Sequence, residues 1–395
     1  MELKKSRMVR SHPQDWVRTW IEIDTRSLFS NFEYFRRLAR GARMMAMIKS
    51  NAYGHGLVLV AKLLSKKYRG VWFGVDSITE ALRLRDEGIK NPILVLGYTL
   101  PRRLYEAAQR DIAITISHFE GARELARLKK RPRFHLKFDT GMHRQGFQES
   151  DMRKLIRELE RFGLNPDGIY SHFSTASNRG FSKKQIRTFE YMVQEVKRVG
   201  ISPGILHMNK TEGVINFPES TYDMVRLGIG LYGYYPAGTP RLRPVLSWHT
   251  IVSEVKRVKK GEWVSYDRTE RLKRDSKIAI LPIGYWHGFD RGLSSVGEVL
   301  IRGKRARVLG RVTMDMTMVD VTKIPGVRVR DEVVIIGKQA PLEARRRSRL
   351  PRFGRGPLTG QGRRRITADD VAKKINTTSY EILTRINPLI RKIVV

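Results

Sequence analysis

The chain has 395 residues, 41% hydrophobic and 29% charged, with 76 Lys and Arg against 39 Asp and Glu and no cysteine. That length allows two domains with a well-buried core, and the absence of cysteine excludes disulfides, thiolate metal sites and a cysteine nucleophile; a metal is not among the expected cofactors. The net charge of +37 raises a polyanion-binding function, nucleic acid included; yet the basic runs at 66–67, 129–133, 256–260, 271–277 and 302–307 are scattered, and no zinc-finger spacing, aromatic-interleaved RNA-binding signature or recognition helix accompanies them.

The amino terminus, MELKKSRMVRSHPQDW, is basic but lacks the apolar stretch of a secretory signal, and no later run is long enough to cross a bilayer, so a cytoplasmic enzyme with no membrane span is expected. From about residue 43 to residue 226, short apolar runs alternate with amphipathic segments of helical length, the pattern of repeated βα units. The spacing predicts eight strands: Met44 to Lys49, Val71 to Val75, Pro92 to Leu96, Ile112 to Ile116, Phe134 to Asp139, Gly168 to His172, Gly204 to Met208 and Tyr222 to Arg226. Eight parallel strands with outer helices make a (β/α)8 barrel of the TIM type, although an open doubly wound sheet has the same periodicity. After about residue 245 the runs VLSWHTIVSEVKRV, SKIAILPIGYW, GEVLIRG, ARVLGRVTMDMTMVDV and DEVVIIG lack long helices between them. They predict a mostly β C-terminal domain, with a late helix at Thr367 to Ile375 and a returning strand at Tyr380 to Ile386. The expected division is 19–244 for the barrel and 245–395 for the β domain, with 1–18 able to pair with the latter. Residues 345–365 hold nine arginines and no acid, with enough glycine and proline to predict an exposed, mobile insertion.

In such a barrel the chemistry sits at the carboxyl ends of the strands. Lys49 ends strand one, Arg144 follows strand five, His172 ends strand six, Lys210 and Thr211 follow strand seven, and Arg226 ends strand eight. Desolvation at the mouth of a strand favours the uncharged amine of Lys49, which can then attack a carbonyl. GIGLYG at 228–233 fits the dinucleotide pattern GxGxxG, but neither a Rossmann half nor a ribose-binding acid surrounds it.

IKSNAYGHG around Lys49, HLKFDTGMHRQG ending at Gly146, SHFSTAS at His172, HMNKTEG at His207, DMVRLGIGLYG at Arg226 and LGRVTMDM at Met314-Asp315 closely resemble the motifs of the alanine racemase family. They occur in family order, and the resemblance runs from about Trp20 to Arg385 apart from the basic insertion. It implies the barrel plus β domain of the fold-type III pyridoxal-phosphate enzymes, acting as a homodimer that interconverts L-alanine and D-alanine and supplies D-alanine for peptidoglycan. A serine or broad-specificity racemase of the same fold is the alternative within the class. A polyanion-binding protein on a racemase scaffold is the alternative outside it.

By motif position, the resemblance makes Lys49 the amine that holds pyridoxal 5'-phosphate and assigns its phosphate to Tyr53, Thr211, the backbone at Gly228 and Ile229, and Tyr380. It makes Arg226 the partner of the ring nitrogen, with His207 bonded to that arginine and His172 beside the ring. A guanidinium keeps its own proton, so the ring nitrogen stays unprotonated and the cofactor is a weaker electron sink, which favours racemisation over transamination. Inversion needs an acid and a base on opposite faces of Cα: Lys49 serves one, and Tyr266, supplied from the partner subunit, the other. Arg144 is implied to orient the substrate carboxylate, Lys137 to be carbamylated and to brace Arg144, and Tyr285, Met314 and Asp315 to line the substrate end of the pocket. The chain departs from the family at Lys210, where asparagine is usual, at Leu227 in place of proline, at His287 in place of aspartate, and at Ser177 in place of an entry-corridor acid.

Overall fold

The computed structural model describes residues 17–235, 242–339 and 364–395. They form two compact units: 25–244 is one, and the described residues up to Asp24 join those from Val245 onward in the other.

In the first unit, β2 (Arg43–Met47), β3 (Trp72–Val75), β4 (Ile93–Val95), β5 (Ile114–Ile116), β6 (Phe134–Lys137), β7 (Gly168–Tyr170), β8 (Ile205–His207) and β9 (Met224–Leu227) are the eight expected strands, with ends that differ by at most two residues. All pair in parallel, as the sets β9-β2-β3-β4 and β5-β6-β7-β8. Hydrogen bonds join the two sets at both seams. Val95 N–H donates to Ala113 O and Ala113 N–H to Ile93 O, both at 2.9 Å, while Asp223 N–H donates to Leu206 O and Arg226 N–H to Asn209 O, both at 3.0 Å. The strands therefore close into a ring, not an open sheet. Strands buried on both faces read as continuous apolar runs, and Met45, Ala46, Phe73, Leu94, Ile114, Leu136 and Ile169 are fully buried.

In the second unit, β1 (Thr19–Ile23) lies between β10 (Leu246–Ile251), antiparallel to it, and β20 (Arg391–Val394), parallel to it. Residues 19–24, expected to begin the barrel, thus belong to the β unit. The sheet continues from β10 to β18 (Glu332–Lys338), β15 (Glu298–Ile301) and β16 (Lys304–Arg307), and β11 (Glu254–Val258), β14 (Ser276–Leu281) and β17 (Thr317–Asp320) form a second sheet. The late helix occurs at Ala368–Lys374. The returning strand expected at Tyr380 to Ile386 is instead a helix over Ser379–Thr384, and β20 takes the strand's place. The basic insertion falls outside the described residues except for Arg364 and Arg365 at its end. Among the described residues no helix is long and apolar enough to cross a membrane.

Candidate active site

Strand β2 stops at Met47, and Lys49 opens a turn that sequence reasoning did not anticipate. Ser50, Asn51, Ala52 and Tyr53 all adopt positive φ, between 52° and 56°, a left-handed turn without a glycine that costs about 1–2 kcal/mol per residue. Several bonds over-determine it. Ala52 N–H donates to Ile48 O at 2.7 Å and Gly56 N–H to Asn51 O at 2.9 Å. Leu57 N–H donates to Asn51 Oδ1 at 3.0 Å, and Ser50 N–H donates to Glu80 Oε1 at 2.7 Å. The turn leaves the Lys49 side chain 38% exposed, with Nζ 3.6 Å from Asp76 Oδ1. The expected desolvation at a strand mouth is therefore not met; the amine is half-exposed and beside a carboxylate.

Arg226 is 2% exposed at the end of β9. Its Nη1 donates to His207 Nδ1 at 2.7 Å and to His207 O at 3.2 Å. Its Nη2 donates to Ser171 O at 2.6 Å, Met208 O at 2.9 Å and His172 Nδ1 at 3.1 Å. Because Nδ1 of His207 accepts, its Nε2 carries the proton and donates to His135 Nδ1 at 2.8 Å. This chain of neutral imidazoles fits the electrostatics. Burial, reinforced by Arg226, holds His207 and His172 well below the usual histidine range, and burial pushes His135 down to about 3, with Arg133 and Arg226 adding to it. Burial also lowers Arg226 to about 10, below the usual guanidinium range but still protonated near neutrality. Tyr170 supports the group, its ring stacked 4.7 Å from His207 and 5.0 Å beneath the Arg226 guanidinium.

A short 3-10 helix, Ile229–Tyr232, begins just after Arg226. Thr211 Oγ1 accepts from Gly228 N–H at 3.2 Å and Gly230 N–H at 3.3 Å. A Cβ placed on Gly228 would lie 3.2 Å from Tyr53 Oη and 3.8 Å from Thr211 Oγ1, so two hydroxyls and the start of a helix face a space kept open by a missing side chain. Hydroxyls and backbone amides at such a turn suit a dianion. These residues fit the phosphate of pyridoxal phosphate, and Nε of Arg226, which has no partner among the described residues, fits an unprotonated ring nitrogen.

Arg144 sits on the loop after β6. Asp139 Oδ1 organises that loop by accepting from the N–H groups of Gly141, Met142 and His143 at 3.0, 2.9 and 3.0 Å. Burial would raise the Asp139 carboxyl, but those three donors hold it below the usual carboxylate range. Lys137 is buried, and its Nζ donates to Gln145 Oε1 at 3.1 Å while Gln145 Nε2 donates to Ser117 Oγ at 3.1 Å. Burial pushes Lys137 down to about 8, with Arg144 and Arg226 contributing.

The barrel unit thus gathers Lys49, Tyr53, Lys137, Arg144, His172, His207, Thr211, Arg226, Gly228 and Ile229. The β unit carries the rest. Tyr285 and Met314 are neighbours there: the N–H groups of Tyr285 and Trp286 donate to Thr313 O and Met314 O, each at 3.0 Å, with Asp315 adjacent. Tyr266 is 68% exposed and follows Ser265, whose φ is 68° and whose hydroxyl donates to Arg311 O at 2.7 Å. Tyr380 is exposed on the helix Ser379–Thr384. Of the family departures, Lys210 is offset by Glu212 at 3.5 Å, and His287 Nδ1 accepts from Gly284 N–H at 3.2 Å as a local cap. Leu227 is buried in β9, and Ser177 is exposed, its Oγ 2.8 Å from that of Thr175. Sequence reasoning missed Asp76, Glu80, His135 and Gln145. Asp76 was accessible to the rule used for the other strands, since it directly follows β3.

Family models for the alanine racemase N-terminal and C-terminal domains match residues 23–236 and 245–349. The chain is 38% identical over 387 residues to an alanine racemase of Carboxydothermus hydrogenoformans, covering 95% of this chain and 99% of that one. It is 35% identical over 404 residues to one of Leptospira interrogans, covering 98% of each. The crystal structure of alanine racemase from Bacillus anthracis with bound L-Ala-P aligns with a TM-score of 0.85 at 32% identity, covering 96% of this chain and 95% of that one.

Proposed function

The chain belongs to the alanine racemase family of pyridoxal-phosphate-dependent isomerases, and from that premise we propose that it interconverts L-alanine and D-alanine as a cytoplasmic homodimer with shared active sites, supplying D-alanine for peptidoglycan. The observation that carries the reading is Arg226, a buried guanidinium whose Nη1 and Nη2 are satisfied by two neutral histidines and three carbonyl oxygens. An electron-sink cofactor meant for transamination is served by an acid at that position; a permanent cation that keeps its proton suits proton transfer back to the carbon it came from. When bound, pyridoxal phosphate supplies an aldehyde carbon for an amine and a conjugated ring that accepts the electron pair left on Cα.

The remaining roles belong to the chain's own residues. Lys49 provides the amine, and Tyr53, Thr211, Gly228 and Ile229, with Tyr380, hold the phosphate. Arg144, positioned by the Asp139 loop, orients the substrate carboxylate. Lys137 braces Arg144 as a carbamate, and Tyr285, Met314 and Asp315 bound the substrate end. Lys49 exchanges a proton with one face of Cα, and Tyr266 of the partner subunit exchanges a proton with the other. Removing a proton from one face and returning one to the opposite face inverts the centre.

Mixing two inactive variants tests this arrangement. Lys49→Ala and Tyr266→Phe should each abolish racemisation in both directions, because both groups are used in every turnover. Under subunit exchange activity should return, since half of the sites in a mixed dimer contain both wild-type groups. Demonstrated heterodimers without rescue would refute the shared two-base site, and a borohydride-reduced pyridoxyl group on a lysine other than Lys49 would refute the amine assignment.

A further inference from the structure

The turn after β2 and the turn after β3 are tied together by one carboxylate. Glu80 Oε1 accepts from Ser50 N–H at 2.7 Å, and Glu80 Oε2 accepts from Asp76 N–H at 2.8 Å. Glu80 is itself fixed as the third residue of a helix, Ile78–Asp86, whose capping box with Ser77 locks its side chain over the helix start. The clamp therefore sets the backbone on the carboxyl side of Lys49 against the backbone of Asp76. The result is the ion pair at 3.6 Å between Lys49 Nζ and Asp76 Oδ1. Lys137, Arg144 and Arg226 interact with one another across the barrel mouth, with Asp139 as the carboxylate beside Lys137. Asp76 is the carboxylate set against Lys49.

We propose that Asp76 is a positioning residue for Lys49: it receives the lysine once the substrate amine has displaced it from the cofactor. This rests on Lys49 being the cofactor-bearing amine. In the exchange, the bond from the cofactor carbon to the lysine nitrogen breaks as the bond to the substrate nitrogen forms. The hydrogens of the substrate ammonium pass to the departing lysine, so a cation appears at Lys49 Nζ and charge is conserved. In a mouth already lined with cations that ammonium would be repelled toward solvent. Asp76 at 3.6 Å holds it instead, keeping the proton donor beside the face of Cα that it must reach. Glu80 keeps the two turns in register so that the pair re-forms in each cycle.

The test uses holoenzyme and 2-methylalanine, an alanine analogue without an α-hydrogen, which can displace Lys49 but cannot turn over. Borohydride quenching followed by mass spectrometry then partitions the pyridoxyl group between Lys49 and the analogue. A partly exposed ion pair at this distance is worth a modest factor. Asp76→Asn should therefore raise the analogue concentration giving half-displacement by about two- to fivefold, with an unchanged thermal midpoint, and Asp76→Glu should recover part of the loss. Identical partition curves for wild type and Asp76→Asn, or easier displacement in the variant, would overturn the proposal. If the wild-type pyridoxyl group is never found on Lys49, the underlying amine assignment fails instead, and the two failures are told apart by the same spectrum.

Discussion

Lys137 offers a prediction whose size follows from its surroundings. A lysine normally titrates near 10.5, and burial, with Arg144 and Arg226 nearby, brings this one to about 8. Below pH 8 both folded and unfolded chains carry the proton, and the folded chain bears the cost of a cation in a dry, basic site. Between about pH 8 and 10.5 the unfolded chain binds more protons, so the group's contribution makes stability rise with pH through that window and then level off. A displacement of this size corresponds to about 3 kcal/mol. Lys137→Met removes the titration while conserving most of the volume, at the loss of the bond to Gln145. The assay is urea unfolding of wild type and Lys137→Met in carbonate-free buffer from pH 7 to pH 10.5, with the difference taken at each pH so that contributions common to both cancel. The variant's advantage should be largest at pH 7 and shrink by about 3 kcal/mol toward pH 10.5. Adding 13C-bicarbonate should give a carbamate carbon signal in wild type but not in the variant, and the pH slope should flatten because the nitrogen no longer titrates. Parallel wild-type and variant profiles in carbonate-free buffer would refute the claim that the fold holds Lys137 in a desolvated, cationic site.

Thr211→Val keeps the shape of a buried side chain while removing the hydroxyl that accepts from Gly228 and Gly230. The dissociation constant for pyridoxal phosphate, measured by fluorescence titration, should rise roughly tenfold or more, the effect of losing one hydroxyl to a charged group; an unchanged value would remove Thr211 from the phosphate site. Asp139→Ala deprives three N–H groups of their acceptor and should raise KM for alanine roughly tenfold while lowering kcat less, since a loosened Arg144 weakens carboxylate binding. Asp139→Asn, which retains one acceptor oxygen, should fall between it and wild type, and equal loss in the two variants would show that the loop does not depend on that acceptor.

The eight barrel strands were legible because strands buried on both faces must be apolar throughout, and the strand-end rule then pointed to Lys49, His172 and Arg226. The failures have specific causes. Ser379, Ile382, Leu383 and Ile386 are all buried, a spacing of three, four and seven that marks a helix; the segment is short, and its β-branched Ile382, Thr384 and Ile386 alternate as in a strand. The left-handed turn at Ser50 to Tyr53 has no local signature, since its cost is offset by bonds to Glu80 and within the loop, including residues 30 positions away. His135 lies inside β6 among fully buried neighbours, and only the fold brings it to His207.

The choice of arginine at position 226 follows from the same desolvation that silences the histidines. Burial depresses the enclosed basic groups of this part of the barrel: His135 to about 3, Lys137 to about 8 and Arg226 to about 10. The three types start from different values, so one physical effect leaves the imidazoles neutral and the ammonium and guanidinium charged at pH 7. The imidazoles are uncharged and can accept from the guanidinium. The guanidinium, at about 10, is deprotonated in only about one molecule in a thousand at pH 7. A lysine at 226, more enclosed than Lys137, would be pushed further below its usual range and would yield its proton more readily than a guanidinium. The guanidinium remains a fixed cation there, and its four Nη N–H groups reach three carbonyl oxygens and two imidazoles, one hydrogen being shared, while the fifth, on Nε, is kept for the cofactor.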